Sequence, residues 1–203
     1  MHKLLLDLPS QLESDRLNLR SYQAGDGPLC YAVSQRNRAH LQRFEAGNSL
    51  MSIQNEEDAE IMARQFAIDW AARTRFFLAA FDKTSGEFVA QIYIGVIDWD
   101  LPEFEIGYIA DCEHEGRGFV SEGVRAVLGF AFNHLHAARL RIECDDSNLR
   151  SIRVAERCGF TREGHLRENK RHADGSISGT LHFGLLQREF VGCDSTQRVG
   201  SLA

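Results

Sequence analysis

The stretch Phe104–Glu122, FEIGYIADCEHEGRGFVSE, constrains this chain more than any other. It reads as an apolar strand with polar residues at its end, a Gly116-Arg117-Gly118 turn, and then an amphipathic helix. A strand feeding a helix and then another strand predicts one βαβ unit. Two glycines at the junction let the backbone turn so that several N–H groups face one point. At a helix start those donors join the positive end of the macrodipole, which makes a site for phosphate. The first expectation is a bound phosphorylated cofactor.

The rest of the chain supplies the frame. Leu17–Arg20 alternates like a short strand, and Gly25, Gly27 and Pro28 open a helix to about Arg38. Residues 44–54 have no clean period and read as a loop. Asn55 with Asp58 resembles a capping box for a helix to about Thr74. Phe76–Asp82 and Glu87–Ile97 read as strands joined at Lys83-Thr84-Ser85-Gly86, and Phe104–Ala110 as a third after Pro102. Helical spacing puts Val120, Val124, Val127, Leu128, Ala131, Phe132 and Leu135 on one buried face. Leu140–Cys144 is a strand, and Asp146, Ser147 or Asn148 caps a short helix that Gly159 stops. Phe160–Asn169 and Ile177–Gln187 flank an Asp174-Gly175 hairpin turn. The order is β-α-α-β-β-β-α-β-α-β-β, a mixed α/β sheet of about seven strands with four helices. Residues 1–190 are expected to form one domain, followed by a polar, mobile tail at 191–203.

Composition excludes several classes. With 43% hydrophobic and 26% charged residues the chain is ordinary for a globular protein. A net charge of −6 argues against nonspecific nucleic-acid binding. Cys30, Cys112, Cys144, Cys158 and Cys193 are odd in number and widely spread, which fits free thiols in a reducing compartment. MHKLLLDLP is too short an apolar run for a signal peptide, and no window approaches a membrane span. The expectation is a cytoplasmic protein without membrane or nucleic-acid partners.

Several readings compete for the glycine turn. An ordinary tight turn accounts for the two glycines taken alone. A phosphate-loop NTPase is excluded, since no G-x-x-x-x-G-K-[ST] exists. A Rossmann fingerprint fails because Ser121 holds the third glycine position and DCEHE separates strand from turn.

The wider pattern resembles the GNAT superfamily of acyl-CoA-dependent N-acyltransferases, in its RimJ/RimL-like branch. Glu105-Ile106-Gly107-Tyr108, Gly116-Arg117-Gly118, Ser121-Glu122-Gly123, Asn148 through Phe160, Glu163-Gly164 and the Asp174-Gly175 hairpin appear in the branch's order. Ser14-Asp15-Arg16-Leu17 and Leu19-Arg20 match its opening strand. The resemblance implies a GNAT fold, mostly antiparallel, splayed between its fourth and fifth strands. It implies acetyl-CoA as cosubstrate, with the diphosphate on N–H groups of Gly116, Arg117, Gly118, Phe119, Val120 and Ser121. It also implies the thioester carbonyl near the main chain of Tyr108 and Ile109, and the pantetheine arm on Asn148. Two positions depart from the pattern: Glu115 stands where the branch has Gln or Arg, and Val120 where it has Gly or Ala. A glutamate beside a diphosphate must point away or pair with Arg117. Ten arginines between residues 117 and 171 supply local cations, with Arg117, Arg125, Arg150 and Arg153 the candidates for the phosphates.

Acyl transfer to an amine needs a deprotonated amine, a donor to the oxyanion and a leaving thiolate. Direct transfer requires no enzyme nucleophile. By resemblance Glu105 is the first choice of base. Glu103, on the same strand face, is a second; as a close pair each would raise the other's proton affinity. Both could instead only line a polar, cation-attracting cleft. The superfamily's usual acid, a tyrosine, is replaced by Ala155, and the branch offers Ser151 instead. Ser151 and Asn148 could equally be a backbone-bonded helix serine and a helix cap. His134 and His136 do not share a helical face and no metal is expected; His114, beside the turn, could approach a phosphate. Tyr93 and Trp99 either line an acceptor cleft or belong to the core. Glu45, Asp98, Asp100, Glu103 and Glu105 would make that cleft acidic. The implied acceptor is a protein N-terminal α-amine, as on ribosomal proteins; polyamines, antibiotics and amino acids are the alternatives within the branch. A homodimer is common there. Glu115, Val120 and Ala155 also leave open a non-catalytic acyl-CoA-binding regulator.

Overall fold

A computed structural model describes residues 2–172 and 174–190; the expected tail at 191–203 lies outside them. The elements are β1 (Gln11–Glu13), β2 (Leu17–Ser21), α1 (Gly27–Leu41), α2 (Glu56–Ala72), β3 (Arg75–Asp82), β4 (Phe88–Asp98) and β5 (Glu103–Ala110). They continue with α3 (Phe119–Asn133), β6 (Arg139–Asp145), α4 (Leu149–Arg157), β7 (Thr161–Arg171) and β8 (Ile177–Leu186). One eight-stranded sheet runs in the order β1-β2-β3-β4-β5-β6-β8-β7. Every neighbouring pair is antiparallel except β5 and β6, which are parallel and joined over α3. The eighth strand, β1, is three residues long, too short to show a period.

Local chemistry sets the element ends. Asn55 caps α2 by accepting from the Asp58 N–H at 2.9 Å, as its spacing predicts. Asp58 reaches back to Gln54 N–H rather than to Asn55, so the box is displaced by one residue. Gly86, Gly159 and Gly175 all take positive φ at turns, where a side chain would be strained. Loop 44–54 contains a 3₁₀ turn at Ser49–Ser52.

Alternation along β3 sends Phe76, Leu78 and Ala80 to one face and Phe77 and Ala79 to the other. The first face packs under α3 and α4, the second under α1 and α2. Along α3, Val124, Val127, Leu128 and Ala131 are fully buried as expected, whereas Val120 is only half-buried. Among the described residues no helix is long and apolar enough to cross a membrane.

The parallel β5–β6 ladder pairs only Glu103 with Arg139, Phe104 with Leu140 and Glu105 with Arg141. Beyond these residues both strands continue, β5 to Ala110 and β6 to Asp145, without pairing to each other. The sheet therefore splays open between the two strands that the sequence counts as fourth and fifth. This gap positions the site.

Candidate active site

Two cavities meet in the splay. The larger, about 450 Å³, lies toward the glycine turn and is lined by Tyr108–Ala110, Glu115, Val120, Ser147–Ser151 and the His40–Glu45 segment. The smaller, about 310 Å³, lies on the other side and is walled by Glu45, Arg75, Gln91, Tyr93, Glu105 and Glu143 among others. Glu45, Tyr108, Ile109 and Ser151 border both.

At the first end, Gly116 and Gly118 take φ of +74° and +81°, so both turn glycines are required by backbone geometry. Gly118 is the N-cap of α3 and no side chain caps the helix. The N–H groups of Phe119, Val120 and Ser121 are thus first-turn donors free for an external acceptor. Arg16 holds the turn in place: its Nη1 donates to the Arg117 carbonyl at 3.2 Å and its guanidinium lies 4.6 Å over the Phe119 ring. Arg16 is held in turn by Glu122, which also accepts from Ser14 Oγ at 2.7 Å. The Ser14–Arg20 opening strand and the Ser121-Glu122-Gly123 helix start, remote in sequence, are therefore one structural unit.

The strand end is held by a residue that sequence reading passed over. Asp111 is fully buried and accepts from Arg36 Nε at 2.9 Å, Asn37 Nδ2 at 3.1 Å and the Glu113 N–H at 3.0 Å, with His114 Nδ1 at 3.3 Å. Burial alone would raise its pKa. The hydrogen bonds from Arg36, Asn37, Glu113 and His114 outweigh that and hold the carboxyl below its ordinary range. Asn37 Oδ1 accepts from the Cys112 N–H at 2.8 Å, completing the clamp. The only local signal was DCEHE itself, an Asp with a His three residues on.

Glu115 does not pair with Arg117. Arg150 takes its carboxylate and His40 Nε2 lies 3.3 Å away, so its charge is met from α4 and α1. Of the four arginines singled out for phosphate, Arg150 lines the cavity; His40 joins it from the end of α1 and Arg43 from the α1–α2 connection. Asn148 is the N-cap of α4, its Oδ1 accepting from Ser151 N at 3.2 Å, and it borders the larger cavity as well. The two roles weighed for it are compatible.

At the junction, the Tyr108 hydroxyl lies 2.9 Å from Ser151 Oγ and 3.0 Å from the Ser151 carbonyl, bridging β5 to α4 across the gap. Burial pushes the Tyr108 phenol well above its ordinary range, so it serves as a hydrogen-bond donor rather than a ready acid. The resemblance gives Tyr108 a main-chain role; the structure adds a side-chain contact, its hydroxyl meeting Ser151.

At the second end, Glu105 faces the smaller cavity and accepts from Arg141 Nη2 at 3.3 Å. Glu103 borders neither cavity: it opens the β5–β6 ladder, whereas Glu105 is the last paired residue, at the edge of the gap. The Glu103 carboxylate accepts from Arg139 Nε at 3.1 Å. Each carboxylate thus has its own arginine, Arg139 for Glu103 and Arg141 for Glu105. Of the other acidic residues expected here, Glu45 lines the cavity and Asp98 and Asp100 do not, while Glu143 joins it. Tyr93 lines it too, and its ring passes 3.2 Å from where a Cβ on Gly107 would stand, which explains the glycine of the EIGY run. Trp99 is core, edge-on to Phe104 at 5.1 Å.

A GNAT acetyltransferase domain model matches residues 16–161. The chain belongs to the GNAT acetyltransferase family. It is 26% identical over 182 residues to the N-acetyltransferase p20 of Bacillus licheniformis, covering 89% of this chain and 98% of that one. It is 25% identical over 171 residues to the spermidine N(1)-acetyltransferase of Vibrio cholerae, covering 79% and 90%. Among solved structures, RimL, a ribosomal L7/L12 alpha-N-protein acetyltransferase in complex with coenzyme A, superposes with a TM-score of 0.77 at 20% identity, covering 88% and 97%. The GNAT acetyltransferase is an acyltransferase, and its family uses acetyl-CoA. The residues present fit that cosubstrate: an uncapped helix start behind two left-handed glycines, opening onto a cavity bordered by Arg43 and Arg150.

Proposed function

We propose that this protein moves an acetyl group from acetyl-CoA directly to a primary amine, and that the amine is a protein N-terminal α-amine of the ribosomal-protein type. The observation that carries the direct transfer is the junction: both cavities open onto Tyr108, Ile109 and Ser151. A donor entering from one side and an acceptor from the other meet there without an enzyme-bound intermediate. The diphosphate would lie on the Gly116–Ser121 N–H groups, and the pantetheine arm along Asn148 and Ser151. The unpaired side of β5 at Tyr108–Ile109 offers main-chain donors to a thioester oxygen. The α-amine reading draws on the RimJ/RimL-like motif order and on the acceptor named for RimL.

A small polyamine is the second reading, favoured by three carboxylates in the smaller cavity and by the spermidine-acetylating relative. Thiol release from acetyl-CoA with a peptide of free N-terminus, its N-blocked counterpart and spermidine separates them. The α-amine reading expects turnover with the first and none with the second; turnover with spermidine alone overturns it. Function in the cytoplasm, on nascent or assembled ribosomal protein, follows from the same reading, and sedimentation would check the homodimer usual in the branch.

A further inference from the structure

The acyl carbon and the attacking nitrogen must meet at a point common to both cavities. Among the described residues Glu45 is the one carboxylate bordering both. Its backbone is fixed, with its N–H on the Leu41 carbonyl at 2.8 Å and its carbonyl accepting from Asn48 N–H at 2.9 Å. Its side chain differs from those of its acidic neighbours. Glu105 is taken by Arg141, Glu143 has Arg141 at 3.6 Å and His182 at 3.3 Å, and Glu115 has Arg150 and His40. No ion pair holds Glu45 among the described residues. Gln91, 3% exposed on β4, lines the smaller cavity, and its Oε1 has no hydrogen-bond partner. An orphaned acceptor there calls for a ligand carrying N–H donors.

Resting on the acyltransferase reading above, we propose that Glu45, from the α1–α2 connection, is the general base that takes the proton from the acceptor ammonium. Burial pushes the Glu45 carboxyl up to about 7, with Lys170 of β7 pulling the other way. Such a base is half ionised near neutral pH, the condition for efficient proton abstraction. The groups facing it are Lys170, Asp145 and Cys144 across a third cavity, Arg75, Tyr93, Glu105 and Glu143 in the smaller cavity, Tyr108 of β5 between the two, and His40, Arg43, Glu115 and Arg150 in the larger. The step balances as follows. An ammonium N–H bond breaks and its proton goes to the Glu45 carboxylate. The freed nitrogen lone pair bonds the thioester carbonyl carbon, the C–S bond breaks with its electrons on sulfur, and the nitrogen's second proton ends on that sulfur. Glu45 returns its proton to solvent.

The test compares Glu45→Gln with Glu105→Gln. Calorimetry with coenzyme A should give affinities within about twofold of the parent for both. With the amine that turns over best, Glu45→Gln should lower kcat at pH 7 by about 10²-fold while KM changes far less. The deficit should narrow at pH 9.5, where the amine is already free. Lys170→Met should move the acidic limb to higher pH, because losing a nearby cation favours the protonated carboxyl. Carbon-13 NMR of the glutamate carboxyls, which needs no acceptor, should show one resonance titrating near 7 that Glu45→Gln removes. An unchanged pH profile in Glu45→Gln, the same loss in Glu105→Gln, or no carboxyl titrating above 6 overturns the proposal. Failure of the parent to bind coenzyme A would instead overturn the reading beneath it.

Discussion

The end of the cleft proposed for the cofactor offers main-chain donors, whereas the end proposed for the acceptor presents side chains. Around Gly116–Ser121 the ligand-facing groups are N–H donors set by two left-handed glycines and a helix start. Arg16 and Asp111 brace the turn from behind, while Arg43 and Arg150 border the cavity it opens onto. Across the junction the ligand-facing groups are Glu45, Gln91, Tyr93, Glu105 and Glu143, from four separate segments. The main-chain donors coexist with Glu115, because its carboxylate is met by Arg150. In the side-chain wall each group is both the surface and the chemistry. One scaffold can thus keep its cosubstrate while its acceptor drifts.

The comparison breaks if damage at one end is felt equally at the other. The largest effect is expected from Asp111→Asn, which removes a fully buried charge from Arg36 and His114. It should cost about 2 kcal/mol of stability by denaturant unfolding at neutral pH. It should also weaken coenzyme A more than it raises the acceptor KM. The Asp111 carboxyl lies below its ordinary value in the folded state, so its contribution is complete above the ordinary value near 3.8. It is lost as pH falls through the depressed one. The stability gap between parent and variant should therefore close in acid, below about pH 4. A gap that persists would mean the charge is not what matters.

Gly118→Val should come next. A Cβ there has room, the nearest atom being Arg16 Nη2 at 3.6 Å, so the penalty is backbone strain at φ +81°. Strain of about 1–2 kcal/mol predicts coenzyme A binding weakened about tenfold, measured by calorimetry, with acceptor KM within twofold. Equal losses at both ends would contradict the division. The smallest effect belongs to the junction: Tyr108→Phe removes one hydroxyl from Ser151. At about 1 kcal/mol, it should lower kcat several-fold in steady-state assays and leave coenzyme A affinity unchanged.

The same division explains what could be read in advance. The βαβ unit, the glycine turn and the α4 cap are local, set by residues within a few positions of each other, and the structure has them where the pattern puts them. β1 was missed although its partner β2 lies close in sequence, because three residues are too few to show an alternation. Glu105 sits in a recognisable strand and lines the smaller cavity; Glu103, on the same strand face, does not. Period-two alternation gives the face, and only the ladder shows where β5 and β6 part. Asp111 was missed because its partners Arg36 and Asn37 come from α1, far upstream. Gln91 carries no local signature: nothing in VAQIY says that its Oε1 will be left without a donor.

The division of the cleft is tested most directly by titrating coenzyme A into nitrogen-15-labelled protein and following the amides. Shifts concentrated at Gly116–Ser121, Tyr108–Ile109 and Asn148–Ser151, with Gln91 and Tyr93 little moved, are the predicted result. Shifts centred on Gln91, Tyr93 and Glu143 instead, or none at the glycine turn, would contradict it.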